Sequence, residues 1–333
     1  VTLVSFDLHI EPERASYEEI AQLGVGGASP RGSTYWRRAQ SCGFEHLLAN
    51  VLHWEPSVRA DALDVGLLWH GVLETYYNAV HAAQRGERRE YTAEQEAFRL
   101  LQRFRDREGW LDFYDVCSRM LDAYVTRWQY ADRDWEIVAV EFTCGWTRES
   151  HPEIFASLGF EETTRLDMLI VDHSLQPVTR SVEHKSARGL DPQTVVAYGQ
   201  DDQLLGQAFL GRHWNDWAAL GYPPYVGALV NVTTKAKSPK CERLPIQPSD
   251  AHLAAWADHK RFWQHMVDVV YPAAGYPRNY TQCTRRFGRC QFYELCRRSP
   301  ELRAGDAFDA DARDLLPNGY VRRESRFDML EAL

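Results

Sequence analysis

Thr164-Arg-Leu-Asp-Met-Leu-Ile-Val-Asp172, then the turn His173-Ser-Leu-Gln-Pro177, then Val178-Thr-Arg-Ser-Val-Glu-His-Lys-Ser186, is the stretch on which the fold turns. Both flanks are rich in β-branched and apolar residues and the middle is turn chemistry, so the segment reads as two neighbouring strands. Along a strand, residues two apart share a face. Glu183 and Lys185 therefore project together with His184 opposite, and a strand partner brings Asp167 onto the same face. Two carboxylates and an amine on one sheet face are costly if buried without partners. They make sense if the carboxylates hold a divalent cation, and oxygen ligands suit Mg²⁺ or Mn²⁺. Such a cation lowers the pKa of an attacking water and neutralises charge developing on a phosphodiester, while the lysine orients or helps deprotonate that water. The competing reading is a solvent-facing strand edge carrying a Glu/Lys pair.

Working outward, Ile137-Val-Ala-Val-Glu-Phe142 alternates like a preceding strand, and Pro224-Tyr-Val-Gly-Ala-Leu-Val-Asn-Val-Thr233 reads as a fourth. Between the lysine strand and the fourth strand, 194–220 reads as a helix carrying Gln203, Gln207 and Trp214. Upstream, helices are expected over about 34–50 (Trp36, Phe44, Leu47, Leu48), 61–84 (Leu63, Leu67, His70, Leu73, Tyr77) and 92–130. Downstream come a basic loop, Lys235-Ala-Lys-Ser-Pro-Lys240, and a helix over 249–270. The pattern is α/β or α+β around a mixed sheet. Four regions follow: an irregular lead-in at 1–33, a core at 34–275 with a helical region about 85–130, a cysteine segment at 276–300, and a polar extension at 301–333.

The chain has 333 residues, 44% hydrophobic and 26% charged, which is ordinary for a globular protein with a sizeable core. No apolar run reaches the ~18 residues of a membrane span. No basic-then-apolar leader is present, so the expected location is the cytoplasm of a bacterial, archaeal or phage-infected cell; Val1 leaves room for a removed leader or tag. A net charge of −9 argues against non-specific coating of nucleic acid but not against a local basic groove. Residues 278–303 hold seven arginines, among them Arg285, Arg286 and Arg289, against Glu294 and Glu301. With Lys235 and Lys237 these are candidates for tracking a phosphate backbone; the bland reading is a solvated surface run.

Seven cysteines make a poor disulfide framework in such a chain. Cys283, Cys290 and Cys296 fall within fourteen residues, a density that suits a shared metal or iron–sulfur cluster rather than three separate thiols. A fourth ligand then comes from Cys42, Cys117, Cys144, Cys241 or a histidine.

Taken in order, these features resemble one family. Asp167 followed by Glu183-x-Lys185 resembles the PD-(D/E)XK nuclease superfamily, with Leu166 at the position of its name-giving proline. Gly66-Leu-Leu-Trp-His70-Gly-Val-Leu-Glu74 is similar to the Gly-x-x-x-His-x-x-Leu-Glu helix of the RecB-like branch, and Gln203 matches its Gln-x-x-x-Tyr motif, with Gln207 at the tyrosine position. Ser41-Cys42-Gly-Phe-Glu-His-Leu47 resembles the segment that supplies the first cluster cysteine in iron–sulfur members, and Cys290-Gln-Phe-Tyr-Glu-Leu-Cys296 resembles their closing pair. Those members include AddB-type helicase–nuclease subunits, CRISPR-associated RecB-like exonucleases and phage relatives. Six residues stand between Cys283 and Cys290, where those members commonly have two.

The resemblance implies a restriction-endonuclease-like core: a central mixed sheet flanked by helices, a helical N-terminal region and a C-terminal cysteine-cluster subdomain. It implies a metal-dependent deoxyribonuclease, an exonuclease acting on single-stranded ends, in recombination, repair, phage replication or CRISPR-related processing, with a recombination or helicase partner. His70, Asp167, Glu183 and the His184 carbonyl would hold Mg²⁺ or Mn²⁺; Lys185 would activate water, with Gln203 beside it. Cys42, Cys283, Cys290 and Cys296 would hold a 4Fe–4S cluster, with zinc the lesser alternative on the same thiolates. The alternative function is a non-catalytic DNA-end-binding or scaffold iron–sulfur protein of a larger complex. Glu74 is expected either to orient His70 or to be solvated, Glu141 to be structural or peripheral, and Cys117 and Cys144 to pack as small apolar residues.

Overall fold

The structure is a computed structural model, and it describes residues 31–56, 61–105, 110–213, 217–285, 288–298 and 320–322. The expected lead-in up to 30, Trp214, Arg286 and most of the polar extension lie outside these residues. The chain divides into two compact units. The first is built from 60–145 and 164–253, the second from 27–59, 146–163 and 254–333.

The first unit opens with α1 (Asp61–Gln84), α2 (Ala93–Arg105) and α3 (Leu111–Trp128). Helix α1 forms because Val65, Leu68, Trp69, Val72, Leu73, Tyr76 and Tyr77 recur at spacings of three and four, giving one buried face. The single helical stretch expected over 92–130 is two helices, α2 and α3. The sheet follows: β1 (Trp135–Trp146), β2 (Glu162–Asp172), β3 (Val178–Ala187), β4 (Tyr225–Thr234) and β5 (Cys241–Ile246), in that spatial order. β2 and β3 are antiparallel, β3 and β4 parallel, β4 and β5 antiparallel. A parallel pair needs a crossover, and α4 (Pro192–Tyr198) and α5 (Asp202–His213) supply it. The one helix expected over 194–220 is thus two, with Asp191 capping α4 through the Thr194 amide at 2.8 Å.

The sheet is covered on both faces. Met168, Ile170, Val182 and Leu229 share a buried cluster with the apolar sides of α1, α2 and α3. Leu204 of α5 packs with Ala228, Val230, Val232 and Ile246. β4, paired on both sides, is accordingly apolar nearly throughout. The arrangement is a mixed central sheet flanked by helices, the restriction-endonuclease-like α/β architecture. β5 has no counterpart in the sequence reading. Pro245 within Cys241–Ile246 disguises it, and proline is tolerated because β5 pairs on one side only, with β4.

In the second unit the helix expected over 34–50 breaks at Cys42, which is extended (φ −162°, ψ 114°) between Ser33–Ser41 and Gly43–His46. A Cβ on Gly43 would stand 2.6 Å from Pro277 Cδ, so only glycine admits this approach. The helix from Asp250 runs as α-helix to His265 and widens into a π turn over Met266–Val270. Its Lys260 is wholly buried, 2.9 Å from the Glu162 carboxylate and facing the Trp36 and Trp256 rings at 5.1 and 4.9 Å. Tyr320–Arg322, from the expected peripheral extension, pairs with Trp54–Pro56.

Candidate active site

The site begins where two strands part. β2 and β3 pair in register from Asp172↔Val178 to Met168↔Val182, and there the ladder ends. One residue on, the Asp167 side chain replaces a strand partner: its Oδ2 accepts the His184 amide at 2.6 Å. β3 continues beside β4, with Glu183 opposite Val230 and Lys185 opposite Val232. The strands thus open a fork at the residues that carry charge. Asp167, Glu183 and His184 are buried, Lys185 half-buried. Helix α1 delivers His70 into this opening, its Nδ1 3.3 Å from Asp167 Oδ2.

On the other arm, Lys185 Nζ donates to Glu183 Oε1 at 2.6 Å and to Gln203 Oε1 at 2.8 Å. Gln203 Nε2 donates to the same Glu183 oxygen at 2.8 Å. Gln207, one turn along α5, donates to Glu183 Oε2 at 2.7 Å while Ser181 Oγ donates to its Oε1 at 3.2 Å. The residue at the motif's tyrosine position therefore holds the second carboxylate oxygen. The His184 ring faces away, stacked on Tyr77 at 5.4 Å and edge-on to Tyr124 at 6.3 Å. Behind it, Tyr77 donates to Asp132 at 2.8 Å, and Asp132 pairs with Arg243.

Charge follows geometry. Burial alone would pull His70 down, but the Asp167 carboxylate, with Glu183 adding to it, holds the imidazole up at about 9. Burial opposes ionisation of Asp167, yet His70 and the His184 amide outweigh it and keep that carboxyl well below the usual range. Burial raises Glu183, as does Asp167, against the pull of Lys185. Lys185 is desolvated, but Glu183 overcomes this and its ammonium is raised. His184, desolvated on the apolar face, is lowered to about 3 and is neutral.

Glu141 departs from expectation. It lies on β1 with φ +52°, a backbone that non-glycine residues rarely adopt within a strand. Its carboxylate comes within 4.8 Å of ligand atoms on His70 and Asp167, and this trio is the one close metal-capable group among the described residues. Arg165 Nε sits 2.5 Å from Glu141 Oε2. Burial, then Asp167, pushes Glu141 up to about 8. An imidazole and two carboxylates form a donor set that fits Mg²⁺ or Mn²⁺. Glu183, held by Lys185 and the glutamines, is outside the trio. Glu74 is within electrostatic reach of Arg165, Asp167 and His70, and burial raises it. The signal for Glu141 was a lone carboxylate in the run Ile137–Phe142; nothing marked Arg165.

The basic residues separate. Lys235 donates its amide to Ala187 at the end of β3. Lys237 lines an open groove with Arg119, Arg127 and Lys240. Arg289 lies over the Tyr293 ring at 4.9 Å and 3.5 Å from Glu294. The Arg285 side chain is outside the described atoms.

In the second unit, Cys42, Cys283, Cys290 and Cys296 line one recess together with Glu45, Arg278 and Asn279. The six residues between Cys283 and Cys290 contain a hairpin, Thr284 opposite Arg289, and the Cys290 amide donates to the Cys283 carbonyl at 2.9 Å. Folding back in this way absorbs the longer spacing. The Asn279 amide points at Cys42 Sγ from 3.4 Å. Four soft donors and an amide aimed at one sulfur fit a metal or cluster. No three of these sulfurs lie within 4.8 Å of one another, whereas four thiolates on one zinc would stand about 3.8 Å apart. Cys117 and Cys144 are buried at 0% and 3% exposure, Cys117 directed at the Val65 carbonyl.

Comparison with known proteins gives three findings. The sequence profile of the PD-(D/E)XK nuclease superfamily matches residues 34–297. The crystal structure of a candidate exonuclease from Eubacterium rectale is similar at 12% identity and a TM-score of 0.46, covering 86% of this chain and 92% of that one. No protein of curated function matches the sequence. No helix among the described residues is long and apolar enough to cross a membrane.

Proposed function

Since the chain belongs to the PD-(D/E)XK nuclease superfamily, we propose that this nuclease is a metal-dependent deoxyribonuclease of the RecB-like branch, working as an exonuclease on single-stranded ends. The observation that carries this is the fork: Asp167 bound to the His184 amide, His70 beside it, and Lys185 joined to Glu183 and Gln203. A bound Mg²⁺ or Mn²⁺ supplies charge neutralisation at the phosphate and a more acidic water. His70, Asp167 and Glu183, with the His184 carbonyl, are the proposed ligands.

The protein's own groups do the rest. The His184 amide fixes one Asp167 oxygen and so the direction of the other. Gln203 and Gln207 anchor both oxygens of Glu183, which in turn fixes the Lys185 ammonium. Lys185 is charged and donates hydrogen bonds; it orients a water or the phosphate from its donor side. The buried walls exclude bulk water, which strengthens each of these interactions. Lys235, Lys237 and Arg289 are the proposed phosphate-backbone contacts, with Arg285 and Arg286.

The recess formed by Cys42, Cys283, Cys290 and Cys296 is the proposed seat of a 4Fe–4S cluster with a structural role. Soft donors on one recess support it, and the spread of the sulfurs favours a cluster over zinc. Recombination, repair, phage replication or CRISPR-related processing in the cytoplasm, with a helicase or recombination partner, is the proposed setting.

The test is cleavage of single- and double-stranded DNA with Mn²⁺ by the full chain, beside Glu183→Ala and Lys185→Ala. Loss of cleavage in both variants is expected; equal cleavage by all three proteins rejects the site. Anaerobically purified protein is expected to be brown with about four irons per chain; zinc in place of iron rejects the cluster.

A further inference from the structure

The proposed ligand set leaves one pair unused. Glu141 and Arg165 face each other on β1 and β2, at 2.5 Å, beside the proposed cation position. Arg165 is two residues before Asp167 on the same strand and so shares its face. The Glu141 carboxylate meets both His70 and Asp167 within 4.8 Å. Its side chain is 14% exposed while that of Arg165 is 31% exposed, so the guanidinium lies on the open side of the pair.

We propose that Glu141 and Arg165 are an exchange pair: Glu141 is a further ligand of the divalent cation, and the cation's arrival takes Glu141 from Arg165 and turns the guanidinium to a phosphate oxygen of the nucleic acid. This deepens the nuclease reading and rests on it.

Three arguments carry the exchange. A divalent cation and a guanidinium compete for the same carboxylate oxygen, and the dication wins where two further ligands already converge. The released guanidinium then has no anion nearer than Glu74 or an incoming phosphate, and planar bidentate donors suit phosphate. The arrangement also explains why a charged pair is kept on the edge of an apolar strand: without the cation, Arg165 neutralises a carboxylate that would otherwise repel Asp167. Cation binding and substrate binding are thereby coupled through one side chain.

The exchange predicts opposite signs for two substitutions, which a merely structural salt bridge does not. Mn²⁺ binding to the full chain is measured by the loss of the free-ion electron-spin signal, without substrate, for wild type, Glu141→Gln, Arg165→Gln and Asp167→Asn. Glu141→Gln is expected to weaken Mn²⁺ binding by about tenfold. Arg165→Gln is expected to tighten it severalfold, because a competitor is gone. With a phosphorothioate oligonucleotide that resists cleavage, Mn²⁺ should increase DNA affinity of wild type and not of Arg165→Gln. Unchanged binding by Glu141→Gln, or weakened binding by Arg165→Gln, overturns the proposal. Should Glu141→Gln fail to fold, the sign of the Arg165→Gln shift still decides. Asp167→Asn separates the two readings: if it binds Mn²⁺ like wild type, the nuclease site itself is misplaced, whereas loss there with an unaffected Glu141→Gln removes only the exchange.

Discussion

A cation that takes the His70 imidazole must displace a proton. His70 is held up at about 9 by Asp167, although burial pulls the other way. At pH 7, two units below, only about 1% of the imidazole is neutral, so apparent metal affinity is about a hundredfold below its alkaline limit. Between pH 7 and 8 the gain is about tenfold for this group alone. Glu141, pushed up to about 8 by burial, adds up to a second proton if it also ligates. Titration calorimetry of Mn²⁺ binding at pH 7, in two buffers of different ionisation enthalpy, should therefore show between one and two protons released per ion. Affinity should rise with pH and level off above about 9. His70→Asn should bind more weakly and release no more than about one proton. The sign follows from the direction of the shift: a raised pKa makes the proton a competitor throughout the neutral range. Wild-type binding with no proton release at pH 7 would show that the imidazole is not displaced from its proton, and the reasoning would fail.

Other consequences are equally direct. Lys185→Met should lose cleavage by more than about a hundredfold while retaining Mn²⁺ binding, and a matching loss of binding would place the amine in the ligand structure instead. Gln207→Leu leaves Glu183 Oε2 buried without its donor and should cost about 1–3 kcal/mol in urea denaturation; unchanged stability would mean that water replaces the amide. Lys260→Met strands the Glu162 carboxylate in the core and should cost about 3–5 kcal/mol, with Lys260→Met/Glu162→Gln recovering much of it. Burial and Arg31 hold His46 down at about 4 in the folded chain, against an ordinary value of about 6.5 when unfolded. The unfolded chain thus takes up the proton first, and stability should fall as pH drops from about 6.5 toward 4. His46→Gln should flatten that part of a melting-temperature profile, and an unchanged profile would locate the acid sensitivity elsewhere.

How much of this was legible in the sequence depends on range. The α1 bounds, Asp61–Gln84, follow from Leu68, Trp69, Val72 and Leu73 at helical spacing, because a periodic apolar face is a local property. The strands around Asp167 and Glu183 are legible for the same reason. β5 was not, since Pro245 argues against a strand unless one knows that it pairs only with β4. The break at Cys42 was not either: Phe44, Leu47 and Leu48 continue the apolar pattern across it, and Pro277, more than two hundred residues away, meets the chain at Gly43.

The site shows the same division at finer scale. Alternation says that Glu183 and Lys185 share a face, and it does so from residue spacing alone. It does not say where β2 leaves β3. That point is set by Asp167, whose carboxylate accepts the His184 amide that an intact ladder would have given to a backbone carbonyl. Moving the fork by one residue would turn a buried apolar side chain, Leu166 or Met168, into the opening and put the carboxylate on the other face. The same substitution of side chain for backbone explains why the neighbouring helix can reach in at all. A closed ladder leaves no space between strands, and His70 approaches Asp167 only because the pairing has stopped. The charged residues are thus both the contents of the site and the cause of its opening. That is why Glu141, which looked peripheral on its own strand, comes to lie beside them.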